Sequence, residues 1–121
     1  MQLHWAMLFV RDLERMTAFY REVLGLRPLE DTRLDNWVEF DGDRSRFSLH
    51  AIPAETAAGI RIESPPQPRE RSPVKLTFAV RDADATLARL AAMGLPVLPR
   101  PWGGTEAVDP EGNVFAVCGK A

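Results

Sequence analysis

The stretch Phe9-Val10-Arg11-Asp12 decides the fold, because it recurs 70 residues later as Ala79-Val80-Arg81-Asp82. Each copy ends an alternating apolar segment and opens a helical pattern. Each pattern stops at Gly-Leu, Gly25-Leu26 in one half and Gly94-Leu95 in the other. A second landmark agrees: Asp41 leads six residues on to Phe47, and Asp109 leads six residues on to Phe115, an offset of 68. Two independent correspondences at nearly one spacing mark an internal duplication, which has to be recognised before any fold is assigned.

Outward from the repeat, each half reads β-α-β-β-β. Trp5, Met7 and Phe9 alternate with Ala6, Leu8 and Val10, which predicts a strand buried on both faces. Asp12 suits an N-cap, Leu13, Met16, Tyr20 and Val23 recur at helical spacing, and Gly25 supplies the positive φ that ends the helix. Strands are expected near 27–32, 36–41 and 45–51, the last two joined by Asp41-Gly42-Asp43. In the second half Val74, Leu76, Phe78 and Val80 alternate with Lys75, Thr77 and Ala79. Asp82 then starts a helix turning Ala83, Leu87, Leu90 and Ala91 inward. Strands near 96–99, 104–108 and 113–118 follow, with Asp109-Pro110-Glu111-Gly112-Asn113 as the last hairpin turn. Pro53 to Pro73 holds five prolines and little periodicity, and reads as an exposed linker. The expectation is one α+β domain over 1–121, made of two tandem βαβββ modules (about 1–52 and 74–121) and a linker over 53–73. Its curled mixed sheets are expected to form a ligand cleft.

Composition narrows the function classes. A chain of 121 residues has the length of one domain and buries roughly two-thirds of its unfolded surface. Its 45% apolar content is ordinary for a globular protein. Fifteen basic against seventeen acidic residues give a net charge of -2 without a one-signed patch, so no nucleic-acid partner is expected. Apolar runs fall far short of the ~20 residues of a membrane span, and the N-terminus lacks a secretory pattern. Cys118 is the single cysteine and can form no intrachain disulfide, which fits a reducing cytoplasm.

Period-two alternation sorts the strand residues by face. Ala6, Leu8 and Val10, with Phe47 and Leu49, belong beneath the first helix; Leu76, Phe78 and Val80, with Phe115 and Val117, belong beneath the second. The opposite faces are mixed. Trp5, Met7 and Phe9 join Ser48 and His50 in one half, and Lys75, Thr77 and Ala79 join Ala116 and Cys118 in the other. A face neither plainly core nor plainly solvent suggests a lined cavity.

Val10-Arg11-Asp12-Leu13-Glu14-Arg15, Phe19-Tyr20, Val23-Leu24-Gly25-Leu26, Trp37-Val38-Glu39-Phe40-Asp41 and the closing Asp109-Pro110-Glu111-Gly112-Asn113 together resemble the vicinal oxygen chelate superfamily. That superfamily includes glyoxalase I, extradiol dioxygenases and bleomycin-resistance proteins. The resemblance spans nearly the whole chain apart from the linker, and its specificity lies in the order of the motifs. It implies paired βαβββ modules, in agreement with the repeat, but no single reaction, because the scaffold serves several chemistries and plain binding. Enzymes of the family hold a divalent metal with one His or Glu from each of four strands. The resemblance puts the two first-strand ligands five residues before the Val of Val-x-Asp, at Trp5 and Lys75, and the last-strand ligands near Ser48 and Ala116. Trp and Ala carry no suitable donor, Ser is a poor ligand, and Lys repels a cation unless deprotonated. His4 lies one residue off register and so on the other strand face. His50 shares the face of Ser48, but one imidazole is not a metal site. No metal and no cofactor are therefore expected, and the resemblance is nearest to the metal-free bleomycin-resistance-like branch, whose tail Pro101-Trp102-Gly103-Gly104 also resembles.

The ligand-binding candidates are Trp5, Phe9, Trp37, Ser48, His50, Lys75 and Trp102. Each of the tryptophans has a plainer reading: Trp5 as a core-filling ring, Trp37 as core or surface, Trp102 as a cap on the core edge. Lys75 within an apolar strand costs free energy unless it is paired or reaches water, so it binds an anion, transfers a proton, or pairs with Glu39 or Glu106. His50 is a ligand hydrogen-bond partner, a general base, or a surface residue. Cys118 reads as a small buried filler, and Arg11-Asp12 and Arg81-Asp82 as cap and surface charges. The function expected is metal-independent binding of a small molecule, protective against a drug or toxic metabolite, by the homodimer that the resemblance implies. Two enzyme readings stand beside it: a metal-free isomerase or lyase using Lys75 and His50, and a metalloenzyme with shifted ligands drawn from His4, Glu39 and His50.

Overall fold

A computed structural model describes residues 1–120. The chain divides into two compact units between Arg61 and Ile62. In the first, β1 (Trp5–Val10) leads to α1 (Leu13–Glu22), then β2 (Arg27–Pro28), β3 (Trp37–Asp41) and β4 (Arg46–Ala51), with a short α2 (Ala54–Ala57) after them. In the second, β5 (Leu76–Val80) leads to α3 (Ala83–Ala92), then β6 (Val97–Pro99), β7 (Thr105–Val108) and β8 (Val114–Gly119). The sheet orders are β1-β4-β3-β2 and β5-β8-β7-β6. In each the first strand runs parallel to the last, and the remaining neighbours are antiparallel. The protein is thus α+β, two βαβββ modules with open mixed sheets. The duplication extends to register: Ala6 lies beside Phe47 as Leu76 lies beside Phe115. Glu39 lies beside Ser48 as Glu106 lies beside Ala116.

Local chemistry explains the repeated elements. The Asp12 carboxylate accepts from Arg15 N at 3.0 Å and that of Asp82 from Ala85 N at 3.0 Å, each satisfying a helix-start N–H. Gly25 (φ 73°) and Gly94 (φ 78°) stand just beyond the helices in the left-handed conformation that ends them. The inner side of α1 buries Met16, Phe19 and Tyr20, and the Tyr20 ring lies 5.0 Å from Phe47 and 6.3 Å from Phe40. The second core centres on Leu90, Val108 and Phe115, with Phe78 at 5.9 Å from Phe115. Each such side chain contributes about 1.5–3 kcal/mol on burial.

The closing turn is held from within and from outside. Asp109, fully buried, accepts from Glu111 N (2.9 Å), Asn113 N (3.0 Å) and Asn113 Nδ2 (2.8 Å). Gly112 (φ +89°) lets Gln67 O come within 2.5 Å of the place a Cβ would occupy, and Arg69 N donates to Gly112 O at 2.8 Å.

Several expectations need correction. The strand expected over 27–32 is only Arg27–Pro28, followed by a 3-10 turn at Glu30–Thr32; Pro28 has no N–H to extend a ladder. The strand expected to be buried on both faces has Val10 buried but Phe9 63% exposed, with Trp5 and Met7 also exposed. Val74 and Lys75 precede β5 and are exposed, so Lys75 does not sit inside an apolar strand. Ala91 is exposed, and the inner stripe of α3 is Ala83, Leu87 and Leu90. Cys118 is exposed, since it lies near the end of β8 on the face away from α3. The segment read as a linker contains α2, buries Ala57 and Pro66, and is tied to the 109–113 turn through Arg69.

Candidate functional site

Strands β1, β4 and β3 set their alternate side chains side by side on the face away from α1. Parallel register puts Met7 next to Ser48 and Phe9 next to His50, and antiparallel register puts Glu39 next to Ser48 and Trp37 next to His50. Rings run across this face: Trp5 to Trp37 at 5.9 Å, Trp37 to His50 at 5.7 Å, and His50 to Phe9 at 5.4 Å. Beneath them the Trp5 indole N–H donates to the hydroxyl of Ser48, which is fully buried. Glu39 is buried as well, with Arg46 Nε at 3.4 Å; Arg46 also reaches Asp41 at 3.4 Å, and Arg27 pairs with Asp41. Asn36 Nδ2 lies 3.4 Å from His50 Nε2. At the carboxyl ends of β1 and β4 this face opens into a cavity of about 1000 Å³, lined by Phe9, Arg11, Asn36, His50, Ile52 and Ala57 among others. Apolar walls with a few converging polar groups are what a small organic ligand requires.

The second unit gathers a charge cluster on the corresponding face. Glu106, 7% exposed, takes Lys75 Nζ on one carboxylate oxygen and Arg100 Nε on the other, both at 2.6 Å. Arg100 Nη2 also binds Glu70 at 2.7 Å. Burial alone would push the Glu106 carboxyl up; the hydrogen bonds from Lys75 and Arg100 outweigh it and hold the group below the usual carboxylate range. The hydrogen bonds that Arg100 donates to the carboxylates of Glu70 and Glu106 raise the pKa of its guanidinium. Lys75 Nζ stands 5.8 Å and Arg100 Cζ 5.3 Å from the Trp102 ring, within cation–π range.

The structure therefore brings Trp5, Phe9, Trp37, Ser48 and His50 together in one unit and Lys75 with Trp102 in the other. Of the readings open for Lys75, an ion pair with Glu106 is present. Arg46, Asn36, Arg100 and Glu70 went unrecognised in the sequence. The available signal was the pair Glu39 and Glu106, equivalent acids at an offset of 67 on β3 and β7, each of which requires a cation when buried.

None of the four positions at which metal ligands are expected offers a donor that suits a divalent ion. Trp5 and Ser48 hydrogen-bond each other, Lys75 is engaged by Glu106, and Ala116 has no donor. His4 precedes β1 with its ring 6.0 Å from Trp5, and among the described residues no three His, Cys, Asp or Glu side chains are grouped to hold a metal. The shifted set His4, Glu39 and His50 is accordingly not assembled.

Tandem βαβββ modules with open mixed sheets and a lined face define a protein of the glyoxalase fold. This chain belongs to the glyoxalase/bleomycin resistance protein/dioxygenase superfamily, whose family profile matches residues 2–117. Among solved structures it is similar to a protein of unknown function from Agrobacterium tumefaciens (28% identity, covering 100% of this chain and 95% of that one, TM-score 0.67). It is similar also to a lactoylglutathione lyase from Agrobacterium tumefaciens (25% identity, 96% and 91% covered, TM-score 0.63). A fosfomycin resistance protein, FosX from Mesorhizobium loti, shares the fold (23% identity, 99% and 92% covered, TM-score 0.65). A search of curated proteins finds no match to the chain.

Proposed function

We propose that the protein binds a small organic molecule without a metal ion, as the bleomycin-resistance-like branch of its superfamily does. The observation that carries this reading is that the expected ligand positions are already engaged, Trp5 with Ser48 and Lys75 with Glu106. The ligand contacts are assigned to Trp5, Phe9, Trp37, Ser48 and His50 in the first unit, and to Lys75 and Trp102 in the second. Rings of this kind offer stacking to a flat ligand at low entropic cost. A fosfomycin resistance protein among the structural neighbours fits a protective role. The reading includes a cytoplasmic setting, consistent with one exposed cysteine, and a homodimer as the working form. A second reading, a metal-free isomerase or lyase using Lys75 and His50, draws on the lyase neighbour and on His50 at the cavity wall. Turnover lost in Lys75→Met with affinity retained would favour it.

Tryptophan emission followed during titration with a panel of flat heteroaromatic compounds tests the binding reading. A saturable change is expected in the presence of chelator. In Trp5→Ala/Trp37→Ala the binding should weaken by about tenfold or more, the sum of two ring contacts of ~0.5–1.5 kcal/mol each. Binding that persists unchanged in this double variant would remove the first unit's face from the site, and binding that appears only with added metal and is lost with chelator would defeat the reading.

A further inference from the structure

Trp102 is 70% exposed, an unusual position for the largest side chain, yet its surroundings are ordered. Its loop closes on itself, with Arg100 N donating to Gly104 O at 3.1 Å and Gly103 N to Arg100 O at 3.0 Å. The positive φ of Gly103 (100°) and Gly104 (81°) lets the chain turn that tightly. Two cations stand against the ring, and both are fixed from below by one buried carboxylate, Glu106, through separate oxygens. The second acid of the cluster is different in kind. Glu70 is 53% exposed and meets the cluster through Arg100 Nη2 alone. Lys75 and Arg100 contribute +2 and Glu106 contributes -1, which leaves +1 for whichever anion takes the outer place.

We propose that the Trp102 loop is an anion subsite that takes the carboxylate of a planar aromatic acid, with the Glu70 side chain standing in the ligand carboxylate's place. The inference rests on the reading of the protein as a small-molecule binder and names the ligand class for its second unit. The ligand carboxylate accepts the guanidinium hydrogen bond that Glu70 now holds, and Lys75, whose ammonium has three N–H donors and one contact with Glu106, supplies another. The aromatic part stacks on the exposed indole. A cationic ring would meet the charge of Lys75 and Arg100 and is rejected; a neutral ring gains only the stack.

The three indole N–H resonances of the whole protein report each tryptophan separately and are assigned with Trp102→Phe and its counterparts. The probe is 2-naphthoate, with 2-naphthamide as its neutral isostere. Naphthoate should shift the Trp102 indole saturably, and the amide should need about tenfold more for the same shift, the loss of one charge-assisted contact. Glu70→Gln, at an exposed position, should tighten naphthoate binding by about three- to tenfold, and Lys75→Met should weaken it by about tenfold. Equal response to acid and amide, no response at Trp102, or naphthoate binding unchanged or weakened in Glu70→Gln would each overturn the subsite. Shifts confined to the Trp5 and Trp37 indoles would overturn it while leaving the first unit's face as the site. The reading of that face falls separately, by the Trp5→Ala/Trp37→Ala titration.

Discussion

Glu106 sits on β7 with one carboxylate oxygen on Lys75 and the other on Arg100, and its pKa is lowered from the ordinary 4.5. A carboxyl whose folded pKa is depressed stabilises the fold fully above its unfolded pKa, and that stability is lost as pH falls through the folded value. Thermal melts between about pH 6 and pH 3 should therefore show a steeper acid loss in the native protein than in Glu106→Gln, whose curve is flatter from a lower start. Equal acid slopes would show that the two cations do not bias this carboxyl. Ser48→Ala makes a second residue-scale prediction. Loss of the acceptor should cost about 1 kcal/mol in urea unfolding and move the Trp5 indole proton resonance upfield while the other two indoles stay. That particular bond was not legible in the sequence. Alternation placed Trp5 and Ser48 on one face, but the register sets Trp5 beside Arg46, so the indole reaches Ser48 diagonally. Period two reports the face of a residue and not the atom it meets. Cys118 was misread for a related reason, since apolar neighbours in sequence do not tell how close a residue lies to the end of its sheet.

Among the elements, α1 and α3 were the most legible, because capping aspartate, 3.6-residue periodicity and terminal glycine all coincide at Asp12, Gly25, Asp82 and Gly94. Asp12→Ala and Asp82→Ala should each cost about 1 kcal/mol. The two caps belong to separate units, so the double variant should show the sum within about 0.3–0.5 kcal/mol. A coupling well beyond that would mean the units do not unfold as independent additive contributions. The segment 62–73 was the least legible element. Its order comes from the backbone bond to Gly112 O, the Glu70–Arg100 ion pair and the space that a missing Cβ leaves beside Gln67 O, and none of these produces a local pattern. Gly112→Ala should be costly on two counts, since φ is +89° and the new Cβ would meet a backbone oxygen at 2.5 Å. Gly25→Ala has the positive φ but nothing within 4 Å of the added carbon. The expected order in urea unfolding is about 1–2 kcal/mol for Gly25→Ala, the strain term alone, and clearly more for Gly112→Ala. The reverse order would mean that 62–73 gives way without cost.

For the molecule as a whole, duplication was legible because two landmarks repeat at offsets of 70 and 68, and the register of both sheets follows the same offsets. What the face does chemically was less legible, because the family's scaffold carries several reactions and plain binding, and the four positions where the resemblance expects metal ligands name no ligand here. At those four positions this chain has Trp5, Ser48, Lys75 and Ala116, which bond to one another or to Glu106 or offer no donor. A metal ion on Trp5 and Ser48 would have to break the indole–hydroxyl bond, and one on Lys75 would have to displace the ammonium from Glu106; none of the four side chains offers it an imidazole or a carboxylate. Purified tag-free protein incubated with Ni, Mn, Fe or Zn and then desalted should retain less than about a tenth of an equivalent, and its melting temperature should be the same with chelator present. The contrast is large enough to decide. A metal held at 100 times its Kd adds about 2.7 kcal/mol of stability, which for a chain of this length raises Tm by roughly 10 °C. A retained equivalent near one, lost together with such a rise on chelation, would mean that side chains other than these four assemble a site, and would return the protein to the metalloenzymes of its superfamily.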